Sequence, residues 1–209
     1  MENTRTKTTR NSLILLLTAA IWGMAFVSQS KGMDYMHPFT FNGVRSLIGA
    51  ASILVYILIS RKIAGDKAAP LDWKLNVKAG LLCGIFLTIA STLQQFGIKY
   101  TSVGKAGFIT TLYIIFVPMF GIFLKKKVAP VVWAAAVMAA VGMYLLCMTE
   151  SLRLGAGDIM VFLCAIAFAI QIMTVDHYAA RIDGAVVSCI QFTVCGVVCC
   201  IGALIWGQP

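Results

Sequence analysis

The sequence is poor in the residues that keep a protein in water. Of its 209 residues only 12% are charged and only 8 are Asp or Glu, whereas 60% are hydrophobic. Soluble domains carry about a quarter charged residues and under half apolar ones. So little polar surface cannot cover a core of that size, which excludes a water-soluble globule. Histidine is nearly absent, with only His37 and His177, and none of the 7 cysteines forms a Cys-x-x-Cys pair. No zinc set can be assembled from these, so neither a metal nor another cofactor is expected. The cysteines read as small packing residues, with Cys195, Cys199 and Cys200 the one cluster to test for oxidation. A P-loop, a Gly-x-Ser-x-Gly elbow and a His-Glu-x-x-His helix are all missing, and no two acids sit centrally in apolar helices. Enzymatic activity is therefore not expected. Strands of alternating polarity are also missing, which argues against a β-barrel.

What is present is a series of long apolar runs. With about 20 residues needed per bilayer crossing, seven spans fit, near 12–30, 38–60, 77–98, 105–124, 130–149, 157–176 and 185–206. Pro38 opens the second and Pro130 the fifth. The basic N-terminal segment followed by an apolar run resembles a signal peptide. The run is long for one and ends without a small-x-small site, so it reads as a retained first helix. The net charge of +9 suggests nucleic acid at first sight, but the bases lie in short loops, where membrane orientation accounts for them. With the N-terminus in the cytoplasm, Arg5, Lys7, Arg10, Arg61, Lys62, Lys67, Lys74, Lys78, Lys125, Lys126, Lys127 and Arg181 lie inside. Only Lys31, Lys99, Lys105 and Arg153 lie outside, and Arg45 falls within a span. Twelve against four gives an inside N-terminus and a multi-pass protein of the cytoplasmic membrane.

Aligned to itself at an offset of 146, the chain places Ala20-Ile21-Trp22-Gly23 over Ile166-Ala167-Phe168-Ala169, and Arg45 over Gln191. Spans 1 to 5 then form one unit and spans 6 and 7 open a second. A shift by an odd number of helices inverts the second unit, the plan of many secondary transporters. The expected fold is all-α, a polytopic transmembrane helical bundle of inverted five-helix repeats with the second incomplete. Residues 1–11 form a cytoplasmic tail, 12–149 the first repeat and 150–209 the first two helices of the second. Completing the second unit takes about 85 further residues and three more spans, so a truncated chain is expected.

Several stretches carry a family resemblance. The run Ile21-Trp22-Gly23-Met24-Ala25-Phe26, the segment Phe41-Asn42-Gly43-Val44-Arg45, the junction from Gln94 to Leu112, Pro118 and the pair Gly157-Asp158 resemble signatures of the drug/metabolite transporter superfamily, EamA type. The resemblance implies ten helices in two inverted repeats, both termini cytoplasmic, moving small metabolites or drug-like molecules without ATP hydrolysis. Two departures stand out: Lys125-Lys126-Lys127-Val128 stands where the family often has a Glu, and spans 8 to 10 are absent.

Polar side chains within apolar helices mark the candidate pathway, because each is costly in lipid. Arg45 lies seven residues into span 2, about 10 Å down the axis. It either anchors an anionic group, or snorkels, or pairs with another helix. Asn42 lies one turn above it. Thr88, Ser91 and Gln95 share a stripe of span 3, as do Thr18, Trp22 and Gln29 on span 1. Such stripes either line a water-filled route or join helices by hydrogen bonds. Gln171 follows Phe168 by one turn in span 6, and Gln191 repeats the Arg45 position without its charge. The expected pathway is Trp22, Asn42, Arg45, Ser91, Gln95, Gln171 and Gln191, with Trp22 a wall and the amides hydrogen-bonding the substrate. Asp176, the one acid near a span end with a helix behind it, is the candidate for proton coupling, with Lys105 and Tyr113 weaker candidates and Lys105 placed at the outer surface. The expected partners are an anionic or zwitterionic small-molecule substrate, the lipid bilayer and a coupling proton; homodimerisation is compatible with this, and nucleic acid is not. Two rivals remain: a non-transporting assembly or scaffold protein, whose stripes are buried helix glue, and a membrane-embedded enzyme acting on a lipid-borne substrate.

Overall fold

The computed structural model describes residues 4–65, 71–124, 128–147 and 155–206. Lys67, Lys125, Lys126, Lys127 and Arg153 lie outside the described residues, as do the side chains of Arg5 and Lys7. Every regular element described is helical: α1 Thr4–Gly32, α2 Pro38–Ala64, α3 Trp73–Tyr100, α4 Val103–Thr111, α5 Tyr113–Phe123, α6 Pro130–Cys147, α7 Ala156–Tyr178 and α8 Gly184–Trp206. A short 3-10 turn over Ala179–Arg181 leads from α7 towards α8. Six stretches among the described residues are long and apolar enough to cross a membrane, the fourth made of α4 and α5 together; α6 is apolar but shorter. The chain is a polytopic helical bundle.

Local chemistry sets the helix starts. His37 Nδ1 accepts from the Phe39 amide ahead of Pro38, whose missing N–H costs nothing at a first helical position. Asp72 caps α3 through the Leu75 amide at 3.0 Å, and Asp183 caps α8 through the amides of Ala185 and Val186 at 3.0 and 3.3 Å. Two features go beyond the sequence reading. The N-terminal tail is helical from Thr4, because Lys and Arg propagate a helix well and hydrogen bonding does not stop where the apolar run does. The fourth span breaks at Leu112, between α4 and α5, whereas Pro118 sits inside α5.

α3 is the central helix, packing against α7 and α8, while α2 packs along α8. Glycines allow the approach. A Cβ on Gly80 would lie 2.6 Å from Ile190, and one on Gly84 2.8 Å from Val194, so the Gly80-x-x-x-Gly84 face receives two successive ridges of α8. α2 and α8 run antiparallel: the Phe39 and Trp206 rings stack at 6.2 Å at one end, and Arg61 meets Asp183 at 3.6 Å at the other. The ends of α1 and α7, Gly32 and Tyr178, stand in the same 146-residue register as the starts of α2 and α8, Pro38 and Gly184. α1 lies on the outside, its apolar residues from Leu13 to Trp22 exposed, and joins the bundle through Phe26 and Gln29 near its C-terminal end. Below, the side holding the start of α1 is the near face and the side holding its end is the far face.

Candidate functional site

The polar side chains converge along α3. Asn42, fully buried, donates from Nδ2 to the Ser91 carbonyl at 2.9 Å and accepts at Oδ1 from Arg45 Nη2, also at 2.9 Å. The guanidinium of Arg45 lies 5.6 Å from the centre of the Phe41 ring, within cation–π range. Among the described residues no carboxylate pairs with Arg45. Beside this group, Ser46 Oγ donates to Cys195 Sγ and Ser91 Oγ sits against the same sulfur, both at 3.4 Å. Cys199, one turn along α8, meets Thr92 at 3.8 Å. The cluster singled out for oxidation is thus in part the polar seam of α2, α3 and α8, and all the cysteines with described side chains are free thiols.

One turn towards the far face, Gln95 Nε2 donates to the Gln29 carbonyl at 3.3 Å, while Oε1 of both residues is buried without a partner among the described residues. Towards the near face, beside Gly84, Gln171 Nε2 donates to Gln191 Oε1 at 3.0 Å. From Gly84 to Gln95 the column runs about 16 Å along α3 at 1.5 Å per residue.

The structure therefore brings together Asn42, Arg45 and Ser91, with Gln95 above and the Gln171–Gln191 pair below. It does not bring Trp22 into this column: that side chain is 50% exposed on the outward face of α1. Phe168 belongs to the apolar core with Ala90, Cys164 and Ala167. Asp176 is exposed and lines a separate cavity of about 710 Å³ with Tyr113, Pro118 and Ile172, between α5, α6 and α7. A second cavity of about 560 Å³, lined by Phe86, Phe120 and His177, lies between α3, α5 and α7.

Lys105 stands at the far end of the bundle, beside the head of α7. Its side chain is only 20% exposed and lies 3.7 Å from Asp158, which is 4% exposed at the head of α7. Thr101 Oγ1 donates to the other carboxylate oxygen of Asp158. Sequence reading passed over Ser46 and gave Phe41 and Cys195 no place in the pathway. Ser46 carried a signal, one turn below Asn42 on the same face, but Cys195 looked like any small packing residue.

The arrangement is an arginine with no carboxylate partner among the described residues, beside a polar seam between long apolar helices. A model of the EamA-like transporter family matches residues 10–148, from α1 through α6. The chain belongs to that family. It is also 31% identical over 171 residues to an uncharacterized transporter from Archaeoglobus fulgidus, a match covering 79% of this chain and 48% of that protein. The chain spans about half the length of this curated relative. No solved structure matches it. As an EamA-like protein with six apolar helices of spanning length, it is a multi-pass membrane protein of a transporter family.

Proposed function

We propose that the protein acts as a secondary transporter, moving an anionic or zwitterionic small metabolite or drug-like molecule across the cytoplasmic membrane by alternating access. The supporting observation is Arg45: a guanidinium held inside the span by Asn42 and Phe41, with no carboxylate partner among the described residues. Arg45 is itself exposed at the edge of the seam, and a positive charge at membrane depth is costly unless an anion meets it; a substrate can be that anion. Arginine suits the task because its planar fork binds a carboxylate or phosphate at two points. In this reading Ser91, Gln95, Gln171 and Gln191 border the route and Asn42 orients Arg45 from behind. The second five-helix unit is an inverted copy of the first, set by the 146-residue register of the helix ends. The near face is cytoplasmic, and Asp176 is the candidate for carrying a coupled proton.

The test is uptake by the full-length protein in proteoliposomes. Arg45→Ala abolishes transport of anionic substrates, and Arg45→Lys restores part of it because the charge remains without the fork. Unchanged uptake in Arg45→Ala sinks the assignment. The scaffold reading has one observation in its favour, that the amides of the column donate to protein groups: Asn42 to the Ser91 carbonyl, Gln95 to the Gln29 carbonyl and Gln171 to Gln191. It predicts that a cysteine replacing Gln95 stays unlabelled by water-soluble maleimides from both sides, with and without substrate.

A further inference from the structure

The two faces of the bundle are closed to different degrees. At the far face, α3 and α7 cross backbone to backbone. A Cβ on Gly97 would lie 2.5 Å from Val161 Cγ2 and 2.9 Å from the Gly157 oxygen; one on Gly157 would lie 2.8 Å from the Gly97 oxygen. Immediately beyond the crossing, the elbow between α3 and α4 reaches over to the head of α7. There the Asp158 carboxylate takes a hydrogen bond from Thr101, one from the Gly155 amide at 2.9 Å, and the Lys105 ammonium at 3.7 Å. Ile98, Ala106, Ile109 and Val161 pack as one apolar cluster in the same corner, with Phe26 of α1 against it. Four helices thus meet at one end.

The near face differs. There the two cavities of about 710 and 560 Å³ flank α7, share Met173 as a wall and are both bordered by α5. The ion pair at that end, Arg61–Asp183 at 3.6 Å, joins α2 to the start of α8, and its side chains are 36% and 41% exposed.

We propose that Asp158, Lys105 and Thr101 form a latch that holds the far end of the transport route shut and releases when the protein opens to that side. The proposal rests on the carrier reading and adds residues that reading does not use. A buried carboxylate that keeps its donors is tolerated, whereas one stripped of them in the apolar corner is not. Intermediate separations of α4 from α7 are therefore disfavoured: the groups are either paired or rehydrated by water entering from the far side. That gives two discrete arrangements, which a rocking carrier requires.

Hydrogen–deuterium exchange on the unliganded full-length protein in nanodiscs tests this. Asp158→Asn and Lys105→Met raise exchange several-fold in segments 97–106 and 157–165, and simultaneously lower it in segments 79–86 and 170–178, as the near half closes in compensation. Asp158→Glu, which keeps a carboxylate for the same donors, stays closer to wild type at both ends than Asp158→Asn. Should Asp158→Asn fail to fold, Thr101→Val, which removes one hydrogen bond, shows the same pattern at smaller amplitude. A rise at the far end with no fall at the near end makes the cluster a static brace and overturns the latch, as does no change at either end. Reciprocal exchange in a protein that moves no substrate leaves the latch standing and overturns the carrier reading instead.

Discussion

Asn42 commits both ends of one amide. Its nitrogen is tied to the α3 backbone at Ser91 and its oxygen to Arg45, so the orientation of the arginine follows the spacing of α2 and α3. Gln95, equally buried, is the opposite case: among the described residues it makes one bond of 3.3 Å and its oxygen has no donor. Removing a buried group that satisfies two partners costs on the order of 1–3 kcal/mol, while removing an acceptor that is already unsatisfied gives back part of its desolvation penalty. Thermal unfolding in detergent should therefore separate the two. Asn42→Ala lowers the midpoint clearly, and Gln95→Met leaves it close to wild type. Equal losses would mean that the Gln95 oxygen has a donor in the folded protein, such as an ordered water.

Among the helices, glycine acts in two distinct ways. Gly97 lies where α3 touches α7, and even one methyl there would meet Val161 and the Gly157 oxygen; Gly23 on α1 has nothing within 4 Å. Gly97→Ala should cost about 1–3 kcal/mol through overpacking against backbone that cannot yield. Gly23→Ala should raise stability by about 0.5–1 kcal/mol, since it only restricts the unfolded chain. Chemical denaturation of both variants checks the pair, and a reversal of the order would show that α3 and α7 do not touch at this point. The contrast also marks what was readable in the sequence. Helices were legible because bilayer thickness demands apolar runs of fixed length and prolines punctuate them, so α2 and α6 begin at Pro38 and Pro130 as expected. The break at Leu112 was not, because it precedes Pro118 by more than a turn and no residue type marks it. Periodicity names the polar face of a helix but not what lies opposite. Asn42 and Arg45 were found from their face, whereas Thr101 and Asp158, 57 residues apart, become neighbours only when α3 crosses α7. The same limit applies to Trp22: its face was readable, but that α1 turns this face outward from the α3 column was not.

At the scale of the molecule, basic residues and shape point the same way. Arg61, Lys62, Lys74, Lys78 and Arg181 ring the near face, where the cavities beside α7 lie; Lys31, Lys99 and the latched Lys105 mark the far face. Positively charged loops stay on the cytoplasmic side during insertion, so the near face should be the cytoplasmic one and the structure should be closed to the outside. The orientation is tested with epitope tags placed at Lys67, between α2 and α3, and at Arg153, between α6 and α7, in the full-length protein. In intact spheroplasts antibody should reach the tag at Arg153 but not the one at Lys67, which becomes accessible only after permeabilisation. The opposite pattern would put the latch on the cytoplasmic side and reverse which face the closed end protects. Adding lysines to the α6–α7 loop should then shift the tag pattern in part of the population, because that loop is short and its charge competes with the near-face lysines for retention. If the added lysines have no effect, the orientation is set by something other than the loop charges, and the argument from twelve bases against four loses its force.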